Sequence, residues 1–295
     1  MDAETTMSRG APGSADPVRA VSVISTGTVR IHPEQLFGTR QPLYWWLLTS
    51  RRWTAPRPIN VYVIEHVRGL VLFDTGQDRA SVTDSGYFPG GLTGSLYRRL
   101  ARFDIGEDDT LTAQLAALGY AAADVDTAIV SHLHEDHIGG LRELTGAKLL
   151  VSAAEWAELT GPAPELRGFL RRHILLPGLK WHQVAALRTS DPTLAPFTES
   201  FDVFGDGSLV LLPTPGHTAG SMSLLVRRTG RPPLLLTGDL TYEAEFLQQG
   251  RVPGVGDRRR LADSSRRVLA LAEQQPGLVV LPAHDPTAVR RLLDS

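Results

Sequence analysis

The sequence predicts an α/β fold in which sheets pack on one another with helices outside. Three observations carry that expectation. Short runs rich in Val, Ile and Leu alternate with amphipathic helical stretches in both halves of the chain. No repeat, low-complexity block or linker divides it. The 295 residues are 42% hydrophobic, enough for a sizeable core. One domain over residues 21–295 is therefore expected, behind a loose tail over residues 1–20.

The elements follow in order. Val21 to Ile31 reads as a first strand. A segment punctuated by Pro33, Pro42, Pro56 and Pro58 follows, containing the aromatic cluster Tyr44-Trp45-Trp46. Ile59 to Ile64 and Leu70 to Phe73 flank a turn ending at Gly69, a hairpin signal. A helix is expected over Thr110 to Leu118, with Asp109 as its N-cap and Gly119 as its stop. Further strands are expected at 127–130, 149–152, 208–212, 223–227, 234–237 and 278–281. Further helices are expected at 153–159, 164–172 and 258–274, the last ended by Pro276-Gly277.

Composition excludes several functions. With no cysteine there is no disulfide scaffold, thiolate zinc finger or cysteine nucleophile, so any metal must be held by histidine and carboxylate. A net charge of −2 speaks against a nucleic-acid partner. No stretch approaches the ~20 apolar residues of a membrane span, and the first twenty residues do not read as a secretory signal. A cytoplasmic protein is expected. The arginine pairs at 98–99, 171–172 and 266–267 and the run 258–260 read as solvated helix faces.

The decisive segment is Ser131-His132-Leu133-His134-Glu135-Asp136-His137-Ile138-Gly139-Gly140, directly after a buried-looking strand. In an extended segment, side chains at i and i+2 point the same way, so His132 and His134 can share one ion. Asp136 and His137, past a turn, can face a second beside it. Two ions about 3.5–4 Å apart form a two-metal hydrolytic site. Three lone residues stand in a repeated context of strand, then glycine or proline turn: His217 in Thr214-Pro215-Gly216-His217, Asp239 in Thr237-Gly238-Asp239, and His284 in Pro282-Ala283-His284. Each can supply a missing ligand. His32, His66, His173 and His182 have no such context.

These motifs resemble the metallo-β-lactamase superfamily, and the resemblance runs from Val21 almost to the C-terminus. It implies a four-layer αββα sandwich with metals at one sheet edge. It also implies that His132, His134 and His217 bind one metal, that Asp136, His137 and His284 bind the other, and that Asp239 bridges them. Asp74, in the Phe73-Asp74-Thr75-Gly76 turn, matches the superfamily's early aspartate and is expected to support the metal loop. Two divalent ions, zinc by this resemblance, with two ionised aspartates and a bridging hydroxide, would leave one positive charge. That suits a neutral substrate becoming an oxyanion.

Within the superfamily, the absent cysteine separates this chain from the common zinc β-lactamases. Only eleven residues follow His284, which leaves no place for a glyoxalase II extension. Tyr242, three residues after Asp239, is similar to the tyrosine of the N-acyl homoserine lactonases, as is the stretch from Pro58 to Gly76. The resemblance implies that Tyr242 hydrogen-bonds a lactone and that Asp136 also shuttles a proton to the leaving oxygen. It points to quorum quenching with a small-molecule lactone or ester as partner. Glu135 departs from the pattern: the subgroup carries an apolar or aromatic residue there, and a carboxylate disfavours a fatty acyl tail. Phosphotriester, phosphodiester or thioester hydrolysis on the same site, and a non-catalytic metal-bearing binding protein, stay open. The aromatics Tyr44, Trp45, Trp46, Trp53, Phe88 and Tyr97 are candidates for a lid, core packing or a homodimer contact.

Overall fold

Alternation along the strands dictates the layering. The computed structural model describes residues 16–39 and 41–295. Among them, β1 (Val18–Ile31), β2 (Arg57–His66), β3 (Gly69–Phe73), β4 (Ala101–Asp104), β5 (Val125–Ile129), β6 (Lys148–Ser152) and β7 (Lys180–Val184) form one sheet, ordered β4-β1-β2-β3-β5-β6-β7. The second sheet holds β8 (Leu187–Arg188), β9 (Glu199–Asp202), β10 (Leu209–Pro213), β11 (Met222–Val226), β12 (Leu234–Leu236) and β13 (Val279–Leu281), ordered β13-β12-β11-β10-β9-β8. On β2, Tyr62 and Ile64 turn inward to meet Leu209, Leu211 and Leu224 of the other sheet. Their neighbours Val61 and Val63 turn outward onto Leu111, Leu115 and Ile138. The second sheet repeats the pattern, sending Val210, Leu212, Leu225 and Leu235 outward against Leu261, Val268 and Leu271 of the helix Arg258–Gln274. Period-two alternation with both faces covered yields helix, sheet, sheet, helix, the expected αββα sandwich.

The long helix illustrates how local sequence sets its ends. Asp257 caps it by accepting from the amides of Arg259 at 2.9 Å and Arg260 at 3.2 Å, and its arginines face away from the buried stripe. Other boundaries differ from expectation. The first strand begins at Val18, so the part of the expected tail over 16–20 that is described is partly strand; the rest lies outside the described residues. The helix Leu111–Ala117 is capped by Thr110, whose hydroxyl accepts from the Ala113 amide, and not by Asp109, which instead accepts from the Gly106 amide. The stretch 164–172 is not one helix. A 3-10 turn over Pro164–Arg167 stops at Gly168, whose φ of +94° no helix accommodates, and a separate turn spans Arg171–Ile174.

The aromatic cluster forms an unexpected helix, Leu43–Thr49, and it divides. Trp46 and Leu47 are buried, whereas Tyr44 and Trp45 are 56% and 61% exposed. Phe88 and Tyr97 pack together in the core with Tyr87 and Leu170. The arginines divide too. Arg266 and Arg267 lie exposed beside Asp263 as expected; Arg99 and Arg172 are exposed too but donate to the carbonyls of Leu47 and Leu48 and of Gly86, while the half-buried Arg171 donates to those of Leu159 and Gly161. Carbonyls left open at helix and loop ends recruit them. No helix among the described residues is long and apolar enough to cross a membrane.

Strand direction sets where the site must lie. β3 and β5 are parallel, β12 and β13 are parallel, and β10 runs in the sense of β12 because β11 is antiparallel to both. The C-terminal ends of these strands therefore gather along one edge of the sandwich.

Candidate metal centre

Five strand ends empty into this edge: β3 into Asp74, β5 into Ser131 to His137, β10 into His217, β12 into Asp239 and β13 into His284. The Asp74 amide extends the β3–β5 pairing by a bond of 2.8 Å to the Ile129 carbonyl, and the two sheets are joined there by a backbone bond of 3.0 Å from the Met222 amide to the Ser131 carbonyl. Gly238 adopts φ +52°, and a Cβ on it would stand 2.7 Å from the Ser131 hydroxyl. Only glycine lets the turn bearing Asp239 close on the histidine segment.

The structure brings all seven expected residues together. Ligand atoms of His132, His134 and His217 lie within 4.8 Å of one another, as do those of His132, His137 and Asp239, and those of Asp136, His137 and His284. Each of four rings has one nitrogen tied back into the protein and the other turned inward. His132 Nδ1 faces the Ser131 hydroxyl at 3.0 Å, His134 Nε2 the Arg167 carbonyl at 3.1 Å, His137 Nδ1 the Asp74 carboxylate at 2.8 Å and His284 Nδ1 the Pro58 carbonyl at 3.0 Å. These bonds set the tautomers, so His134 presents Nδ1 where the other three present Nε2. His217 also turns Nε2 inward, 2.9 Å from His134 Nδ1, which is itself 3.1 Å from His132 Nε2. Ligands of a tetrahedral ion with bonds of 2.0–2.1 Å stand about 3.3 Å apart, so the three nitrogens fit one cation. Asp239 divides its oxygens: Oδ2 lies 3.5 Å from His217 Nε2, while Oδ1 lies 3.3 Å from His284 Nε2 and 3.4 Å from His137 Nε2. His137 Nε2 and Asp239 Oδ1 are buried with no hydrogen-bond partner, which is costly unless a cation takes both. The donor set fits two divalent ions sharing Asp239.

Electrostatics separate the two groups. Burial, reinforced by neighbouring histidines, holds His132 far below its ordinary range and His134 down at about 3; burial also lowers His217. Those rings are neutral and ready to bind metal. Burial pulls His284 the same way, but Asp239 and Asp136 overcome it and raise His284 to about 10. Asp74 and Asp239 likewise lift His137 well above its usual value against burial. Burial would raise Asp136, yet His137 and His284 hold it at about 2.

A cavity of about 490 Å³ opens over the centre. Asp136, Asp239, His134, His217 and His284 line its floor, and Val29, Ile31, Leu43, Tyr97, Phe103 and Phe169 its apolar walls. Tyr242 is buried in the wall with its ring 5.7 Å from that of His284. Burial, with Asp239 and Asp136, pushes its phenol far up, so it stays a protonated donor. Glu135 also lines the cavity, 9% exposed. Burial first, and then Asp136, raises it to about 8.

Sequence reasoning missed several supports. The Ser131 amide and hydroxyl both donate to Asp74, at 2.7 and 2.9 Å. Asp74 thus steadies His137 directly and His132 through Ser131, and it does so from a left-handed φ of +64°. Arg57 reaches the His284 carbonyl at 3.3 Å and pairs with Glu243. Glu155 is the largest omission. Ser152-Ala153-Ala154-Glu155 has the spacing of a capping box, and Ser152 does cap the helix Ala153–Thr160, but the carboxylate of Glu155 turns away from the cap toward the metal loops.

Comparison with known proteins gives the family. The family model described as Metallo-beta-lactamase superfamily matches residues 54–284. The chain belongs to that superfamily; it is one of its hydrolases and resembles the N-acyl homoserine lactonases. It is 31% identical over 233 residues to the N-acyl homoserine lactonase AttM of Rhizobium radiobacter, covering 78% of this chain and 83% of that one. It is 30% identical to an N-acyl homoserine lactonase of Bacillus sp, covering 77% and 81%. Among solved structures, a B. thuringiensis AiiA mutant with N-decanoyl-L-homoserine at its active site superposes with a TM-score of 0.71 at 23% identity, over 91% of this chain and 94% of that chain. AidC, a dizinc quorum-quenching lactonase, superposes with a TM-score of 0.60 at 16% identity, over 91% and 88%. These structural likenesses establish the fold.

Proposed function

We propose that this protein is a dinuclear metal-dependent lactonase that opens the ring of N-acyl homoserine lactones. The observation that carries the reading is the division of Asp239 between two convergent donor groups on the floor of a cavity with apolar walls. In this reading His132, His134 and His217 would hold one ion, Asp136, His137 and His284 would hold the other, and Asp239 would serve both. Zinc suits the histidine-rich set. When bound, two such ions supply a water acidified toward neutrality as nucleophile and Lewis acidity at the substrate carbonyl.

The chain's own residues do the rest. Tyr242, protonated across the working range, donates to the lactone oxygens, and its worth rises as charge develops on them. Asp136, ionised at the cavity floor, takes the proton that the attacking water gives up and passes it to the leaving alkoxide. Val29, Ile31, Phe103 and Phe169 receive the acyl substituent and exclude water. Leu43 places the exposed Tyr44 and Trp45 at the rim, where they serve as lid or as a homodimer contact.

A substrate panel tests the reading. Short- and long-chain N-acyl homoserine lactones, a thioester and an aryl phosphotriester are assayed by proton or chromophore release, with chelated and zinc-reloaded protein. Lactone opening that disappears on chelation and returns with zinc is expected. Lactone opening untouched by chelation, or turnover of the phosphotriester alone, overturns it.

A further inference from the structure

Glu155 sits in the first turn of the helix Ala153–Thr160 and is fully buried. Its two oxygens serve different loops. Oε1 accepts from the Leu133 amide at 2.9 Å, and Leu133 lies between His132 and His134. Oε2 accepts from the Thr218 hydroxyl at 2.7 Å and the Gly220 amide at 3.1 Å, and Thr218 directly follows His217. The Ser152 hydroxyl, which accepts from the Glu155 amide at 3.0 Å, adds a bond of 2.7 Å to the Gly220 carbonyl. A Cβ on Gly220 would stand 2.1 Å from the Glu155 nitrogen, so the loop reaches the helix only because that residue is glycine.

We infer that Glu155 is a positioning residue for the His132, His134 and His217 group alone. One rigid carboxylate spans the two segments that carry these three rings, fixing the separation between His217 and the pair from the other loop. The other group has different anchors: His137 rests on Asp74, and His284 on the Pro58 carbonyl. A single ion must take nitrogens from both clamped loops at once, so loosening the clamp weakens that position and spares its neighbour. The inference rests on the dinuclear reading above.

The test is stepwise cobalt titration of the metal-free full chain, followed by absorption and chelator competition, with thermal melting of the metal-free protein alongside. His134→Ala identifies which equivalent belongs to which position. Glu155→Gln retains one acceptor oxygen and loses the other. It is expected to weaken the equivalent missing in His134→Ala by about 10–100-fold and alter its absorption, while the other equivalent keeps its affinity and spectrum. Thr218→Val removes one bond and is expected to shift the same equivalent less; it decides the matter if Glu155→Gln does not fold. Equal weakening of both equivalents, or of neither, overturns the inference. Wild-type protein that binds no cobalt overturns it together with the metal-dependent reading. Two bound equivalents without lactone opening overturn only the substrate assignment.

Discussion

Asp74 Oδ2 lies 2.8 Å from His137 Nδ1, with both side chains almost wholly buried. The same carboxylate takes the amide and hydroxyl of Ser131, so one side chain steadies rings from both halves of the centre. Asp74→Asn keeps the size but turns one acceptor into a donor. Metal affinity is expected to fall about 10–100-fold, measured by chelator competition. A variant with unchanged affinity would remove Asp74 from the site's support.

Tyr242 reaches the cavity but holds no ring of the centre. Tyr242→Phe is expected to lower kcat on the order of 100-fold, the scale of one lost transition-state donor, while metal content by elemental analysis stays at the wild-type value. Wild-type turnover in this variant would exclude the phenol from the reaction.

Glu135 places a carboxyl in the cavity lined by Tyr97 and Phe169, whose apolar walls receive the acyl group in the proposed reading. Replacing it with leucine is expected to raise the ratio of kcat/KM for a long-chain over a short-chain lactone about tenfold. A constant ratio would show that the chain runs along another wall.

His66 gives a pH dependence remote from the centre. Its Nδ1 accepts from the Arg68 amide at 3.0 Å, so Nε2 carries the proton toward the Ser208 hydroxyl at 2.9 Å. Burial lowers its pKa, with Asp206 partly opposing. A histidine depressed on folding contributes stability that is complete above its unfolded pKa of about 6.5 and is lost as pH falls toward the folded value. The stability difference between wild type and His66→Gln, by urea unfolding, is expected to shrink from pH 7.5 to pH 5.5; a difference that grows would contradict the assignment.

The histidine segment was legible because its chemistry is local: spacing within one extended stretch puts His132 and His134 on one side. His217, Asp239 and His284 were legible only as strand-end residues in a matching context, and their convergence depended on a family resemblance. Period-two and helical patterning exposed the buried strands β2, β3, β10 and β11 and the helix Arg258–Gln274. The helix Leu43–Thr49 is not legible in sequence because its mixed aromatics show no clean stripe, nor is the break at Gly168, because a single glycine within a helical pattern does not reveal its left-handed φ.

Residue types and their spacing were enough to determine the layers, the candidate metal-binding histidine segment and the exclusion of cysteine chemistry. Only the tertiary structure decided which nitrogen each ring turns inward, which atoms Asp74 and Asp239 turn to which ring, and that Glu155 is an anchor. Hydrogen bonds between strand ends far apart in sequence set those orientations: Glu155 reads as an ordinary helix cap until β6 is laid beside β5 and the loop after β10 comes to rest against its helix.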